Sequence, residues 1–270
     1  MHLILQGKRD QSVVKVDQPV YAIGDVHGRA DLLRPLLDAV ADDSGDQSPI
    51  VIFLGDIIDR GPDSKEALEL VDEAFDRFPG SLLVLGNHDE YLLLALEGLL
   101  TETDAAIWLE GNGGRATVQS YLPGNNPTVQ QFAEFVHEYY DHHHSLLKQA
   151  VGKVVIGSHC FVHAGVRPGI PLDTQNSSDL RWIREEFLDH KDQFEKTIVH
   201  GHTPTETDLP EIYPNRIAVD TGAYATGRLT AAVFEKDIAP RFICVTERSA
   251  GTVDIEHLSA EQAIPLLPTV

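Results

Sequence analysis

Basic residues, cysteines and long apolar runs are all scarce in this sequence. The 270 residues include 21 lysines and arginines against 42 aspartates and glutamates, for a net charge of −21. Such a surface repels the polyanionic backbone of nucleic acids and the anionic face of a membrane, so neither is an expected partner. It would repel a phosphorylated substrate too, unless bound metal ions supplied local positive charge. Two cysteines, Cys160 and Cys244, are too few for a disulfide framework and suit a reducing cytoplasm. Cys160 sits in the apolar run Cys160-Phe161-Val162 and reads as a buried structural thiol. No window approaches the ~20 apolar residues of a membrane span. Met1-His2-Leu3-Ile4-Leu5 is too short an apolar stretch for a signal peptide, and the expected location is cytoplasmic.

Hydrophobic residues make up 42% of the chain, enough for a sizeable core. The first hundred residues alternate apolar strands with amphipathic helices. Val20–Ile23, Ile50–Leu54 and Leu82–Leu85 are short apolar runs, each running into a glycine. Ala30 to Val40 has helical character, and Pro62 stands where a second helix begins, with Ala67, Leu68, Leu70, Val71 and Phe75 on one face. This repetition predicts βαβ units around a mostly parallel sheet. Residues 99–150 read as a helical cap or insertion, broken by Gly111-Asn112-Gly113-Gly114 and by Pro123-Gly124-Asn125-Asn126-Pro127. Strands return at Val154–Ile156, Cys160–Val162, Thr197–Val199, Ile217–Val219, Leu229–Phe234 and Phe242–Thr246, which predicts a second, mostly antiparallel layer. The last ten residues are expected to trail along the surface. The whole chain, 1–270, reads as one catalytic domain of α/β class.

Chemistry-bearing residues recur just after these strands: Gly24-Asp25-Val26-His27-Gly28, Gly55-Asp56-Ile57-Ile58-Asp59-Arg60-Gly61, Gly86-Asn87-His88-Asp89, His163-Ala164-Gly165 and His200-Gly201-His202-Thr203-Pro204. Strand C-termini in an open α/β sheet are where ligand sites assemble. Oxygen and imidazole donors without thiolate suit Mn²⁺, Fe or Zn²⁺. Several carboxylates converging on a small space repel one another unless cations lie between them, and a dinuclear centre removes that conflict. In Asp141-His142-His143-His144, consecutive helical positions fan around the axis, so that run reads as solvated or facing the insertion. Asp220, before a Thr-Gly turn, reads equally as a turn residue or as support for the site.

In order and from about residue 20 to 235, these motifs resemble the phosphoprotein phosphatase family. The likeness is to its bacterial and phage branch, which includes the bacteriophage lambda serine/threonine protein phosphatase. Trp108-Leu109 with Asn112-Gly113-Gly114, Trp182-Ile183-Arg184-Glu185-Glu186-Phe187 and Asp220-Thr221-Gly222-Ala223 extend it. The resemblance implies a four-layer αββα fold, a central mixed β-sandwich flanked by helices, and two metal ions, with Mn²⁺ foremost. Asp25 and His27 would bind one metal, Asp56 would bridge, and Asn87, His163 and His202 would complete the second. His200 would then support the ligands from behind or merely be packed. His88 would be the general acid, oriented by Asp59, and Arg60 and Arg184 would hold the phosphoryl oxygens. The implied reaction is in-line attack by metal-bound hydroxide on a phosphorylated protein or small phosphoester. Leu85 and Asp89, around Gly86-Asn87-His88, look instead like bacterial diadenosine tetraphosphatases. Those enzymes usually lack an aspartate at the position of Asp59. A nucleotide phosphohydrolase is therefore the rival activity, and a catalytically silent metal-binding scaffold the rival class.

Overall fold

The computed structural model describes residues 11–13, 18–249 and 251–264. The expectation about Met1–Leu5 falls outside them. In chain order the strands are β1 Gln11–Val13, β2 Val20–Ile23, β3 Ile50–Phe53, β4 Leu82–Leu83, β5 Lys153–Ile156 and β6 His159–Val162. They continue with β7 Thr197–His200, β8 Glu211–Ile212, β9 Arg216–Ala218, β10 Arg228–Phe234, β11 Arg241–Ser249 and β12 Thr252–Leu258. The helices are α1 Ala30–Ser44, α2 Ser64–Arg77, α3 Asn87–Leu96, α4 Glu102–Ala106, α5 Gly114–Tyr121, α6 Val129–Tyr139 and α7 Asp141–Gln149. Three short ones follow: α8 Ser177–Trp182, α9 Glu185–Leu188 and α10 Ala223–Thr226.

Two six-stranded sheets form, in the orders β12-β11-β10-β2-β3-β4 and β1-β5-β6-β7-β9-β8. The period-two alternation of a strand assigns the layers. Val20 and Ala22 of β2 pack with Val154, Phe161 and Val199 of the other sheet. Tyr21 and Ile23 turn the opposite way, onto Leu33, Leu36 and Leu68 of α1 and α2. Beyond the second sheet, Cys160, Val162 and Ile198 pack with Leu180 and Phe187 of α8 and α9. The result is helices, sheet, sheet, helices, the mixed α/β fold expected. Because β2 and β3 are buried on both faces, they read as unbroken apolar runs.

The expectation that the second layer is mostly antiparallel needs correction. The antiparallel strands β10, β11 and β12 extend the first sheet beside β2, whereas β6, β7 and β9 run parallel in the second. Connection length explains the difference. A turn of six residues joins β10 to β11 and can only make a hairpin, while β6 reaches β7 through a long crossover carrying α8 and α9. The polar strand β12 was not foreseen. Of the last ten residues, 261–264 are described: they close a 3₁₀ turn, Ala260–Ala263, in which Ala263 is buried against the core and its neighbours are exposed. Residues 102–149 are helical apart from their turns.

Candidate metal centre

The C-terminal ends of β2, β3 and β4 lie side by side, and those of β6 and β7 meet them from the second sheet. The loops leaving these ends are strained. Among the described residues seven non-glycines have positive φ, and five of them are His27, Asp56, Asp59, Arg60 and His202; the other two, Asp208 and Asp237, are exposed turn residues. Holding a non-glycine there costs on the order of 1–3 kcal/mol, and such strain collects at functional sites. Two glycines allow the close approach. A Cβ at Gly86 would lie 2.2 Å from Asp56 Oδ1, and one at Gly201 would lie 2.1 Å from Asp25 Oδ1.

These loops bring Asp25, His27, Asp56, Asn87, His88, His163 and His202 into one buried cluster. His27, Asp56 and His88 offer three convergent ligand atoms, and Asp56, His163 and His202 offer another three, so Asp56 belongs to both groups. The imidazole orientations are set from behind. Nδ1 of His27 faces the Ile58 carbonyl at 2.8 Å and Nδ1 of His163 faces the Leu54 carbonyl at 2.8 Å. With protons donated there, both Nε2 lone pairs turn inward, to 3.7 Å and 3.4 Å from the Asp56 carboxylate. Asn87 Oδ1 is 2.9 Å from His163 Nε2. Asp25 accepts the His202 backbone N–H at 3.0 and 3.1 Å, and its carboxylate lies 3.9 Å from His27 Nε2.

The residues fit a pair of metal ions on their own chemistry. His202 Nε2 is buried without a hydrogen-bond partner, which a ligand role would resolve. Burial and the neighbouring Asp220 and Asp56 push the Asp25 carboxyl well above its usual range, the conflict that cations between carboxylates relieve. Burial lowers the His27 and His202 imidazoles to about 3 and about 2, leaving both neutral, the ligating form. Burial also opposes ionisation of Asp56, but the neighbouring His163 and His88 outweigh it and hold the carboxyl well below its usual range.

Beside the cluster, His88 Nδ1 meets Asp59 Oδ2 at 2.8 Å. Asp59 also accepts Trp108 Nε1–H at 2.9 Å and the Thr117 hydroxyl at 2.5 Å. Arg60 reaches back to place Nη2 at 3.1 Å from His88 Nε2, with its guanidinium 4.6 Å over the Tyr224 ring. Arg184 is exposed at the rim, within 3.4 Å of the Thr203 hydroxyl and 3.5 Å of the His202 carbonyl. The nearby Asp179 pairs with Arg167 at 2.8 Å. His200 lies outside both three-ligand groups, its ring edge-on to Phe187 at 5.0 Å.

Four contributors were not among the site residues named from the sequence. Trp108, Thr117 and Tyr224 come from distant elements, and of these only Trp108 lay in a stretch that carried a resemblance. Asp89, the fourth, accepts the backbone N–H groups of Asp56, Ile57 and Gly86 at 2.7, 2.9 and 3.2 Å, so it braces the Asp56 loop from beneath. Asp89 and Leu85 are both fully buried, away from the cleft surface.

The model of the calcineurin-like phosphoesterase family matches residues 18–240, and the chain belongs to that family. A symmetrical bis(5'-nucleosyl)-tetraphosphatase of Nitrosospira multiformis is 44% identical over 80 residues, which are 29% of this chain and 27% of that protein. The match thus spans about a quarter of the relative's length. Among solved structures, a candidate diadenosine tetraphosphatase superposes with a TM-score of 0.57 at 22% identity, covering 94% of this chain and 99% of the other. A Saccharomyces cerevisiae protein serine/threonine phosphatase superposes with a TM-score of 0.52 at 14% identity, covering 94% and 85%. At these identities the superpositions speak to fold alone.

Proposed function

We propose that the chain is a two-metal phosphomonoesterase whose substrates are of the phosphoserine and phosphothreonine type. The observation that carries this reading is the sharing of Asp56 between two ligand groups, with the His88–Asp59 pair alongside. Asp25, His27 and Asp56 would hold one ion; Asp56, Asn87, His163 and His202 would hold the other. The ions would supply Lewis acidity towards the phosphoryl oxygens and a water of lowered pKa.

The chain's own residues do the rest. Asp59, fixed by Trp108 and Thr117, holds the proton on His88 Nδ1 and orients the ring. The charges of Asp56 and Asp59 outweigh the effect of burial and raise the His88 pKa, so Nε2 can carry a proton to the leaving oxygen. Arg60 swings from His88 Nε2 to the phosphoryl group, leaving Nε2 free to face the leaving group. Arg184 approaches from the opposite rim. Planar guanidinium forks suit both tasks.

A second reading, hydrolysis of dinucleoside polyphosphates, is favoured by the name of the Nitrosospira relative. Leu85 and Asp89 add little to it, since neither reaches the cleft. The deciding experiment compares kcat/KM of the metal-loaded protein on a phosphoserine peptide and on diadenosine tetraphosphate. A preference of ~100-fold or more for the peptide is expected. The reverse preference overturns the substrate reading and leaves the metal centre standing.

A further inference from the structure

Outside the cleft, among the described residues, potential ligand atoms converge in two further places, and both involve α7. His137, Asp141 and His144 form one group. It is largely solvent-facing, and its imidazoles already have partners: His137 Nε2 on the Leu96 carbonyl at 2.9 Å and His144 Nε2 on Glu97 at 2.6 Å. Glu69, His142 and His143 form the other, between α2 and α7. Its central feature is His143, whose ring is fully buried and whose Nε2 has no hydrogen-bond partner. That nitrogen lies 3.3 Å from Glu69 Oε1 without the alignment of a hydrogen bond. His142 Nε2 approaches the same carboxylate, 3.1 and 3.2 Å from its two oxygens.

We propose that Glu69, His142 and His143 bind a zinc ion that clips the helical insertion to α2, separately from the two-metal cleft. A tetrahedral ion with bonds of about 2.0–2.1 Å sets neighbouring donors about 3.3–3.4 Å apart, close to the nitrogen-to-carboxylate separations here. The tautomer is prepared from behind. Tyr121 Oη lies 2.6 Å from His143 Nδ1, and with Nδ1–H donating to that oxygen Nε2 keeps its lone pair beside Glu69. Burial keeps His143 neutral, lowering it to about 3. Asp72, one turn beyond Glu69 on α2, adds a negative charge near His142. Lys65, whose ammonium lies 5.6 Å over the Tyr140 ring, is the opposing positive charge on this side.

Adjacent helical histidines diverge by about 100°, which explains why the three consecutive histidines do not share one site. His144 turns towards Glu97. His142 and His143 meet at Glu69, whose Oε1 lies 3.1 Å from one imidazole and 3.3 Å from the other. Ligands from two helices give the ion a mechanical role, since α2 follows the Asp56–Arg60 loop directly and α7 ends the insertion.

The test uses the full chain, stripped by chelator, reloaded with zinc and desalted. Glu69→Gln and His142→Ala change partly exposed side chains, so both variants should fold. Each should carry one zinc per chain fewer than its parent and lose most of the zinc-dependent rise in Tm. Hydrolysis of p-nitrophenyl phosphate should stay within about twofold of the parent at assay temperature. The same single-zinc difference should appear when Glu69→Gln is added to Asp56→Asn, which separates this site from the cleft. Equal zinc content in parent and Glu69→Gln chains overturns the proposal. So does loss of a zinc in His144→Ala with none lost in Glu69→Gln, because the ion would then belong to the neighbouring group.

Discussion

Histidine clusters occur in two regions of this molecule, and the regions reach convergence by different means. In the cleft, strand ends of two sheets aim short loops at one point, and the backbone carries the strain of doing so at His27, Asp56, Asp59, Arg60 and His202. In the second region α2 and α7 are regular helices, and convergence depends on long side chains from the two meeting between them. The first arrangement fixes ligands to within narrow limits and suits chemistry. The second tolerates helix movement and suits a clip. Substitutions should therefore act differently in the two regions.

The largest expected effect comes from the residue both ligand groups share. Asp56→Asn should lose bound metal from the cleft and lower kcat/KM for p-nitrophenyl phosphate by about 10³-fold or more, several kcal/mol of transition-state stabilisation. Elemental analysis and steady-state rates read both. Wild-type-like turnover would refute the shared role and, with it, the contrast between a chemical and a mechanical site.

His88→Asn comes next. It should keep the cleft metals and lose about 10²–10⁴-fold in kcat on alkyl phosphates, with a smaller loss on p-nitrophenyl phosphate, whose leaving group needs little protonation. A fall in metal content instead would make His88 a ligand, as its place beside His27 and Asp56 also permits geometrically.

How far the cleft was legible follows from the same contrast. Each of Asp25, His27, Asp56, Asn87, His163 and His202 stands within a few residues of a strand end, so local sequence carries both the residue and its setting. β2 and β3 were legible because both faces are buried. The strand β12 was not, because its alternating polar residues leave it largely exposed at a sheet edge. Sheet membership of β10 and β11 was hidden as well, since strand order depends on pairing across the whole chain. Trp108 and Thr117 bind Asp59 from 49 and 58 residues away, and Glu69 meets His142 across 73. No local pattern marks such partners.

Strain makes a further, intermediate prediction. Gly201→Ala would place a methyl group 2.1 Å from Asp25 Oδ1 and force that carboxylate aside. Metal affinity should fall about 10–100-fold, the range seen when a ligand's supporting contacts are disturbed. A titration of activity against free Mn²⁺ reads it, with excess metal recovering much of the rate. No change in the midpoint would mean that the loop yields freely, against the rigid character assigned to the cleft.

The smallest effect tests how much orientation is shared out around Asp59. Trp108→Phe keeps the buried ring against Phe132 but removes the indole N–H that Asp59 accepts. A hydrogen bond to a charged group contributes about 1.5–3 kcal/mol, and here the Thr117 hydroxyl and His88 remain to hold the carboxylate. The loss should divide between stability and turnover: a drop in Tm of several degrees and a fall in kcat of about three- to tenfold, with KM and metal content unchanged. Adding Trp108→Phe to His88→Asn should then cost little further turnover, because the indole acts only through the acid it helps to aim. If the two losses multiplied instead, Trp108 would be supporting the cleft by packing, and Asp59 would need no help to orient His88.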